Sequence, residues 1–261
     1  GERLRSLLER HGPQSIGVYS GNAAGHSLGP ILGATAFLEG VKSPKHYSAL
    51  SLDNAEMFVV TEACLGNPML TFCADYAGSD LVLLFGTDPL SSQPSQAQSH
   101  PSGIREILEV AKNRDLVVVD PRRSVTARKA SLHLQPKPGS DVALIAHLVR
   151  QVLESRPELA AGDGLLESSD IAAVRDAVAR WTLEQTATAT GLHASALTTL
   201  SERLLNAKRP LVWSGLGILL GPHGTVGYWL TLVLQAVLGG LDRRGGWLLH
   251  RGAIDLPQLF K

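Results

Sequence analysis

The sequence predicts an α/β fold: a doubly wound, mostly parallel sheet with flanking helices. Three observations carry this. Leu81–Phe85 reads LVLLF and Leu116–Val119 reads LVVV, each an unbroken apolar run of the kind buried on both faces of a parallel sheet. A segment of helical spacing, Ile104–Asn113, joins the two runs, and strand–helix–strand order implies a parallel crossover. Hydrophobic residues make up 44% of the 261-residue chain and aromatics only 5%, with 26 glycines, which suits helix-rich α/β packing better than a β-sandwich.

The elements follow in chain order. Glu2–His11 is an amphipathic helix stopped by Gly12-Pro13, not an apolar signal sequence. Ser15–Tyr19 reads as a short buried strand, and Ser20–His26 as a loop of small residues. Pro30–Glu39 is helical and ends at Gly40; Asp53 is placed to cap a helix over Asn54–Leu65. After LVVV, Leu132–Leu134 is a third short strand, and Asp141–Leu153 a helix with Ser140 as its cap. Ile171–Trp181, Leu183–Thr190 and Ala194–Asn206 are helices, Leu211–Trp213 is a strand, and Thr225–Leu238 a long helix. Gly239–Lys261 has no period and reads as loop; its apolar residues Trp247, Leu248, Leu249, Leu256 and Phe260 call for a partner surface. That surface is expected to be the N-terminal helix with the Ser15–Tyr19 strand, or a second copy of the chain.

Composition narrows the function. Lys+Arg and Asp+Glu both number 24, so no global basic field draws nucleic acid. Two cysteines, Cys64 and Cys73, cannot build a disulfide scaffold or a four-thiolate metal site, and both read as buried free thiols. The most apolar stretch, Val226–Leu241, is interrupted by Gly, Gln and Tyr and is shorter than the roughly 20 residues that span a bilayer. The expected compartment is the cytoplasm, with the periplasm left open.

In an open parallel sheet, ligands bind beyond the carboxyl ends of the strands. Gly86-Thr87-Asp88 follows LVLLF, Asp120-Pro121-Arg122 follows LVVV, and Gly215-Leu216-Gly217 follows LVW. Glycines permit close backbone approach to phosphate; Asp120 can accept from a ribose hydroxyl or a base amine; Arg122 can reach phosphate. Each piece alone also reads as an ordinary turn. Gly215 to Gly221 spells GxGxxxG, and no acidic residue ends a strand about 20 residues on, so a plain NAD site is rejected.

Together these motifs resemble molybdopterin oxidoreductases of the dimethyl sulfoxide reductase superfamily. The similar segments are the strand ending GTDP, then VVVDPRRSVTA, then PGSD entering a helix, with YSGNAAGHSLG upstream and WSGLGILLGPHGT and GLDRRGG downstream. The resemblance covers about Ile16 to Gly246. It implies a site for bis(molybdopterin guanine dinucleotide) carrying molybdenum or tungsten. Gly86, Thr87 and Asp88 would approach a pyrophosphate, although Asp88 replaces the commoner Asn. Asp120 and Arg122 would contact a guanosine, and Gly139 and Asp141 would close on the same guanine. Gly215 and Gly217 would lie near the second pterin arm.

The departures imply a portion of a longer protein. Residues 1–45 would belong to a neighbouring α/β segment, 46–240 to the dinucleotide-binding domain with a helical insertion at about 154–206, and 241–261 to a crossover back. A 4Fe-4S cluster would sit only in a missing domain. The metal-ligating residue of the family falls near Ala49–Asp53, where there is no cysteine; Ser51 and Asp53 are the oxygen candidates, and Asp53 also reads as a helix cap. His26 could orient substrate or pterin, and equally could bond backbone; His100 and His223 are similarly open. No metal ligand is assigned. The expected partners are the missing domains, an electron-transfer subunit and a second copy of the chain; the chain alone is expected to lack turnover. Two other readings stand: a non-catalytic relative such as the large iron–sulfur subunit of respiratory NADH dehydrogenase, and a nucleotide-binding domain like that of thiamine-diphosphate enzymes.

Overall fold

A computed structural model describes residues 1–21, 24, 28–92, 102–161 and 166–249. His26, His100 and residues 250–261, with Leu256 and Phe260, lie outside the described residues. The chain divides into two units, Gly1–Ala55 and Glu56–Lys261.

The first unit opens with α1 (Glu2–His11), which ends at Gly12 in a left-handed conformation, φ 74°. The strand expected at Ser15–Tyr19 is displaced: Pro13–Ser15 forms a 3-10 turn, and β1 is Val18–Ser20. It is not buried, since Tyr19 is 68% exposed. Its parallel partner, β2 (His46–Ser48), was not expected from the sequence. Between them runs α2 (Leu28–Gly40). The short α3 (Leu50–Asp53) follows. Asp53 therefore ends one helix instead of capping the next; its carboxylate accepts from Asn54 Nδ2 at 2.6 Å.

The second unit holds α4 (Ala55–Leu65) from its second residue on, β3 (Phe72–Ala74), β4 (Leu81–Phe85), α5 (Gly103–Asn113), β5 (Asp115–Val119), β6 (Leu132–Leu134) and α6 (Asp141–Ser155). The helices α7 (Pro157–Ala161), α8 (Ser168–Val178), α9 (Leu183–Thr190) and α10 (Ala194–Asn206) fill the stretch before β7 (Pro210–Ser214). The chain continues through α11 (Leu216–Leu219), α12 (Gly224–Val237) and β8 (Trp247–Leu249). Four strands make one parallel sheet in the order β6-β5-β4-β7. In chain order that is third, second, first, fourth, so the winding direction reverses between β4 and β7, as in half of a dinucleotide-binding fold.

The apolar runs explain the layers. All five residues of β4 are buried. Leu81, Leu83 and Phe85 face a core built with α6, α8, α10 and α12; Val82 and Leu84 face a second core with Ile107, Val110, Val60 and Trp247. Period-2 alternation thus feeds two cores, and the sheet is covered on both faces.

The edge of β7 is closed by side chains. Gln235 Nε2 donates to the Pro210 carbonyl at 3.2 Å, the Val212 amide donates to Gln235 Oε1 at 2.8 Å, and Trp247 Nε1 donates to the Val212 carbonyl at 2.6 Å. These bonds stand in for a further strand and protect the edge. Part of the segment expected to be loop is therefore ordered. Trp247, 1% exposed, packs among Phe72, Trp213 and Tyr228, and β8 pairs antiparallel with β3. The partner surface of Trp247 lies in its own unit. Cys73 is buried as expected, but Cys64 is exposed.

Candidate functional site

The loops leaving β4, β5, β6 and β7 meet at the carboxyl end of the parallel sheet. At the reversal point the β4 and β7 turns are sewn together. Gly215 N–H donates to the Phe85 carbonyl and Gly217 N–H to the Gly86 carbonyl, both at 2.9 Å. A Cβ on Gly217 would sit 2.7 Å from Gly86 Cα, and one on Gly215 would sit 2.6 Å from Thr87 Cβ. Gly86 also has φ 53°, outside the range that side chains favour. The space a side chain would need is filled by backbone at Gly86 and Gly217 and by the Thr87 side chain at Gly215. These glycines close the floor of the crevice.

Asp88 is turned into the protein. Its Oδ1 accepts from the Thr126 amide at 2.9 Å and the Thr126 hydroxyl at 2.6 Å; its Oδ2 accepts from the Val125 amide at 3.3 Å and faces Arg122 Nη2 at 3.5 Å. Burial pushes its carboxyl upward, but the Thr126 hydroxyl, the two amides and the Arg122 charge outweigh that and hold it below its ordinary value. Asp88 is thus a latch between the β4 and β5 loops. The side chain expected to approach a pyrophosphate is thus engaged in that latch in the structure. Thr126, fully buried, is the partner that sequence inspection missed.

Asp120 and Asp141 are placed differently. Asp120, nearly buried at 9% exposure, leaves β5; its Oδ1 accepts from the Arg122 amide at 2.8 Å. Asp141 opens α6, and a Cβ on Gly139, two residues before it, would sit 3.1 Å from the ring of Pro222, which follows α11. Gly139 has φ 81°. Ser140 occupies the N-cap position as expected, but its side chain makes no cap bond; its hydroxyl donates back to the Lys137 carbonyl at 2.6 Å. Gly139, Asp141, Val142, Ile218, Pro222 and His223 line a shallow cleft. Burial, and then the negative charge of Asp120, push the Asp141 carboxyl above its ordinary value against the pull of its own backbone amide. Two carboxylates that repel each other at a crevice mouth form an acceptor site for a ligand with adjacent N–H or O–H donors. Arg122 leaves its side chain 73% exposed at the same turn. Ser214 Oγ, at the end of β7, is buried without a hydrogen-bond partner among the described residues.

Ser51 and Asp53 lie in the first unit. Ser51 is exposed, and its hydroxyl donates to the Ser48 carbonyl at 3.1 Å. No group of three His, Cys, Asp or Glu side chains among the described residues could hold a metal ion. No helix among them is long and apolar enough to cross a membrane.

A parallel sheet with this reversal, and polar groups at its carboxyl end, defines a doubly wound α/β protein, a class that binds ligands at the reversal point. A family model described as molybdopterin oxidoreductase matches residues 1–251. The chain belongs to that family. It is 26% identical over 191 residues to the F420-dependent formate dehydrogenase 2 subunit alpha of Methanococcus maripaludis, covering 70% of this chain and 26% of that protein. It is 24% identical over 254 residues to a nitrate reductase of Shewanella frigidimarina, covering 94% of this chain and 26% of the relative. Among solved structures, acetylene hydratase from Pelobacter acetylenicus shares the fold, with a TM-score of 0.69 at 20% identity over 91% of this chain and 31% of that one. The chain thus spans about a quarter of the length of these curated relatives.

Proposed function

We propose that this chain is the cofactor-binding portion of a molybdenum or tungsten oxidoreductase, and that the carboxyl end of its sheet holds one guanosine of a bis(molybdopterin guanine dinucleotide). The observation that carries the reading is the Asp120–Asp141 pair, with Asp141 pushed above its usual carboxyl range. A guanine edge offers two adjacent donors, N1–H and N2–H, which match one carboxylate. Adenine offers no such pair. In this reading Asp141 accepts from the base, and Asp120 accepts from the ribose. Arg122, largely exposed at the turn, reaches phosphate. The unpartnered Ser214 hydroxyl at the strand end fits a polar group lying over the sheet. Gly86, Gly215 and Gly217 shape the floor, and Asp88 braces the walls.

The residues present fit the nucleotide half of the cofactor. When bound, the pterin-held metal supplies two-electron redox or oxygen-atom transfer. This chain's own part is to bind and orient the nucleotide and to supply an electrostatic setting. The rest of a longer polypeptide would complete the site, hold any 4Fe-4S cluster and meet an electron-transfer subunit. Acid hydrolysis of the complete, cofactor-loaded protein tests the reading. Release of GMP together with molybdenum or tungsten is expected. A protein that carries neither would support the non-catalytic alternative, which the lack of a cysteine at Ala49–Asp53 favours.

A further inference from the structure

We infer that His133, on the edge strand of the parallel sheet, and Gln135, just past its end, are positioning residues for the ribose acceptor Asp120. Three consecutive residues grip the chain where it leaves β5. His133 Nε2–H donates to the Asp120 carbonyl at 2.8 Å, and Gln135 Nε2 donates to the Pro121 carbonyl at 2.9 Å. Between them, the Leu134 carbonyl accepts from the Asp120 amide at 3.0 Å.

The tautomer of His133 follows from chemistry, because a carbonyl can only accept and Nε2 must therefore carry the proton. Residues two apart on a strand share a face, so His133 and Gln135 reach the same side while the Leu134 side chain enters the core on the other. Pro121 has no N–H, so the ladder cannot continue through it, and side chains take over where backbone pairing stops. With its amide, carbonyl and Oδ1 all engaged, Asp120 has little freedom left. Its second carboxylate oxygen is thereby aimed rather than mobile, which is the preorganisation that selective recognition of a ribose hydroxyl needs.

The inference rests on the guanosine reading above, and the test separates the two. Binding of GDP and of 2′-deoxy-GDP to the full chain is measured by calorimetry for the natural protein, His133→Leu, Gln135→Leu and His133→Gln. The natural protein is expected to prefer GDP. Removing a donor is expected to shrink the GDP over 2′-deoxy-GDP preference by about 3- to 10-fold, the range of one misaligned hydrogen bond. His133→Gln, which keeps an N–H donor, is expected to restore most of it. A grip that only holds the fold together would lower the melting temperature and leave the preference unchanged, and that outcome overturns the inference. If the natural protein binds neither nucleotide, the guanosine reading itself has failed. If His133→Leu does not fold, Gln135→Leu, altered at an exposed position, still decides.

Discussion

Asp141→Asn separates binding from stability more cleanly than any other single change. The side chain keeps its shape but loses its charge, and one acceptor becomes a donor. In the free protein the ionised carboxyl is disfavoured by burial and by Asp120, so its folded-state value lies above its unfolded one. The sign follows: the ionised form costs stability at neutral pH, and that cost is relieved as pH falls through the raised value. Asn removes the cost, so the melting temperature at neutral pH should stay level or rise. Binding moves the other way. A guanine edge facing Asn loses one acceptor and meets a second donor, a loss of about 1–3 kcal/mol, or roughly 5- to 150-fold in Kd. ADP binding should barely change. Calorimetry with GDP and ADP, beside thermal unfolding of the same samples, measures both quantities. Unchanged GDP affinity, or a GDP loss matched by a comparable loss of stability, would refute the reasoning.

Three other outcomes are expected. Gly217→Ala places a Cβ 2.7 Å from Gly86 Cα and 2.8 Å from its carbonyl oxygen, with backbone on both counts, and should cost about 1–3 kcal/mol in chemical unfolding; a stability equal to the natural protein's would show that the two turns are not locked together. Trp247→Ala should cost about 3–5 kcal/mol by the same method, and Trp247→Phe should recover part of this while leaving the Val212 carbonyl without its donor; a near-neutral alanine variant would return the C-terminal segment to the status of a loose tail. Asp88 has a folded-state value below its unfolded one, so its stabilisation is present above about pH 3.9 and is lost as pH falls through the lowered value. Thr126→Val removes the hydroxyl that contributes to this and should move the acid-unfolding midpoint to higher pH; an unmoved midpoint counts against the latch.

The parallel sheet was legible because unbroken apolar runs of five and four residues leave little but a doubly covered strand. Leu81–Phe85 and the LVVV run fall where the pattern places them. The first unit was less legible. Val18–Ser20 and His46–Ser48 are three residues each and partly exposed, too short for a period and too polar for a core signal. The strand at Trp247 was not legible because it is equally short and its glycine-rich approach resembles a loop. At the candidate site, sequence located the strand ends but not the direction of each side chain. Asp88 and Asp120 occupy like positions after neighbouring strands. Tertiary bonds from Val125 and Thr126, 37 and 38 residues on, turn Asp88 inward. The raised carboxyl of Asp141 likewise comes from tertiary burial and then from the charge of Asp120, 21 residues before it in sequence. His133 and Gln135 carried one faint signal, two polar residues flanking a core leucine at strand spacing.

The central claim is that guanosine binds between the β5 exit and the start of α6. Titrating isotope-labelled full chain with GDP, and following backbone amide resonances, tests it most directly. The account predicts shifts centred on Asp120, Arg122, Gly139, Asp141 and Val142, saturating together and weaker with ADP. Shifts centred away from the carboxyl end of the sheet, or an identical response to ADP, would contradict it.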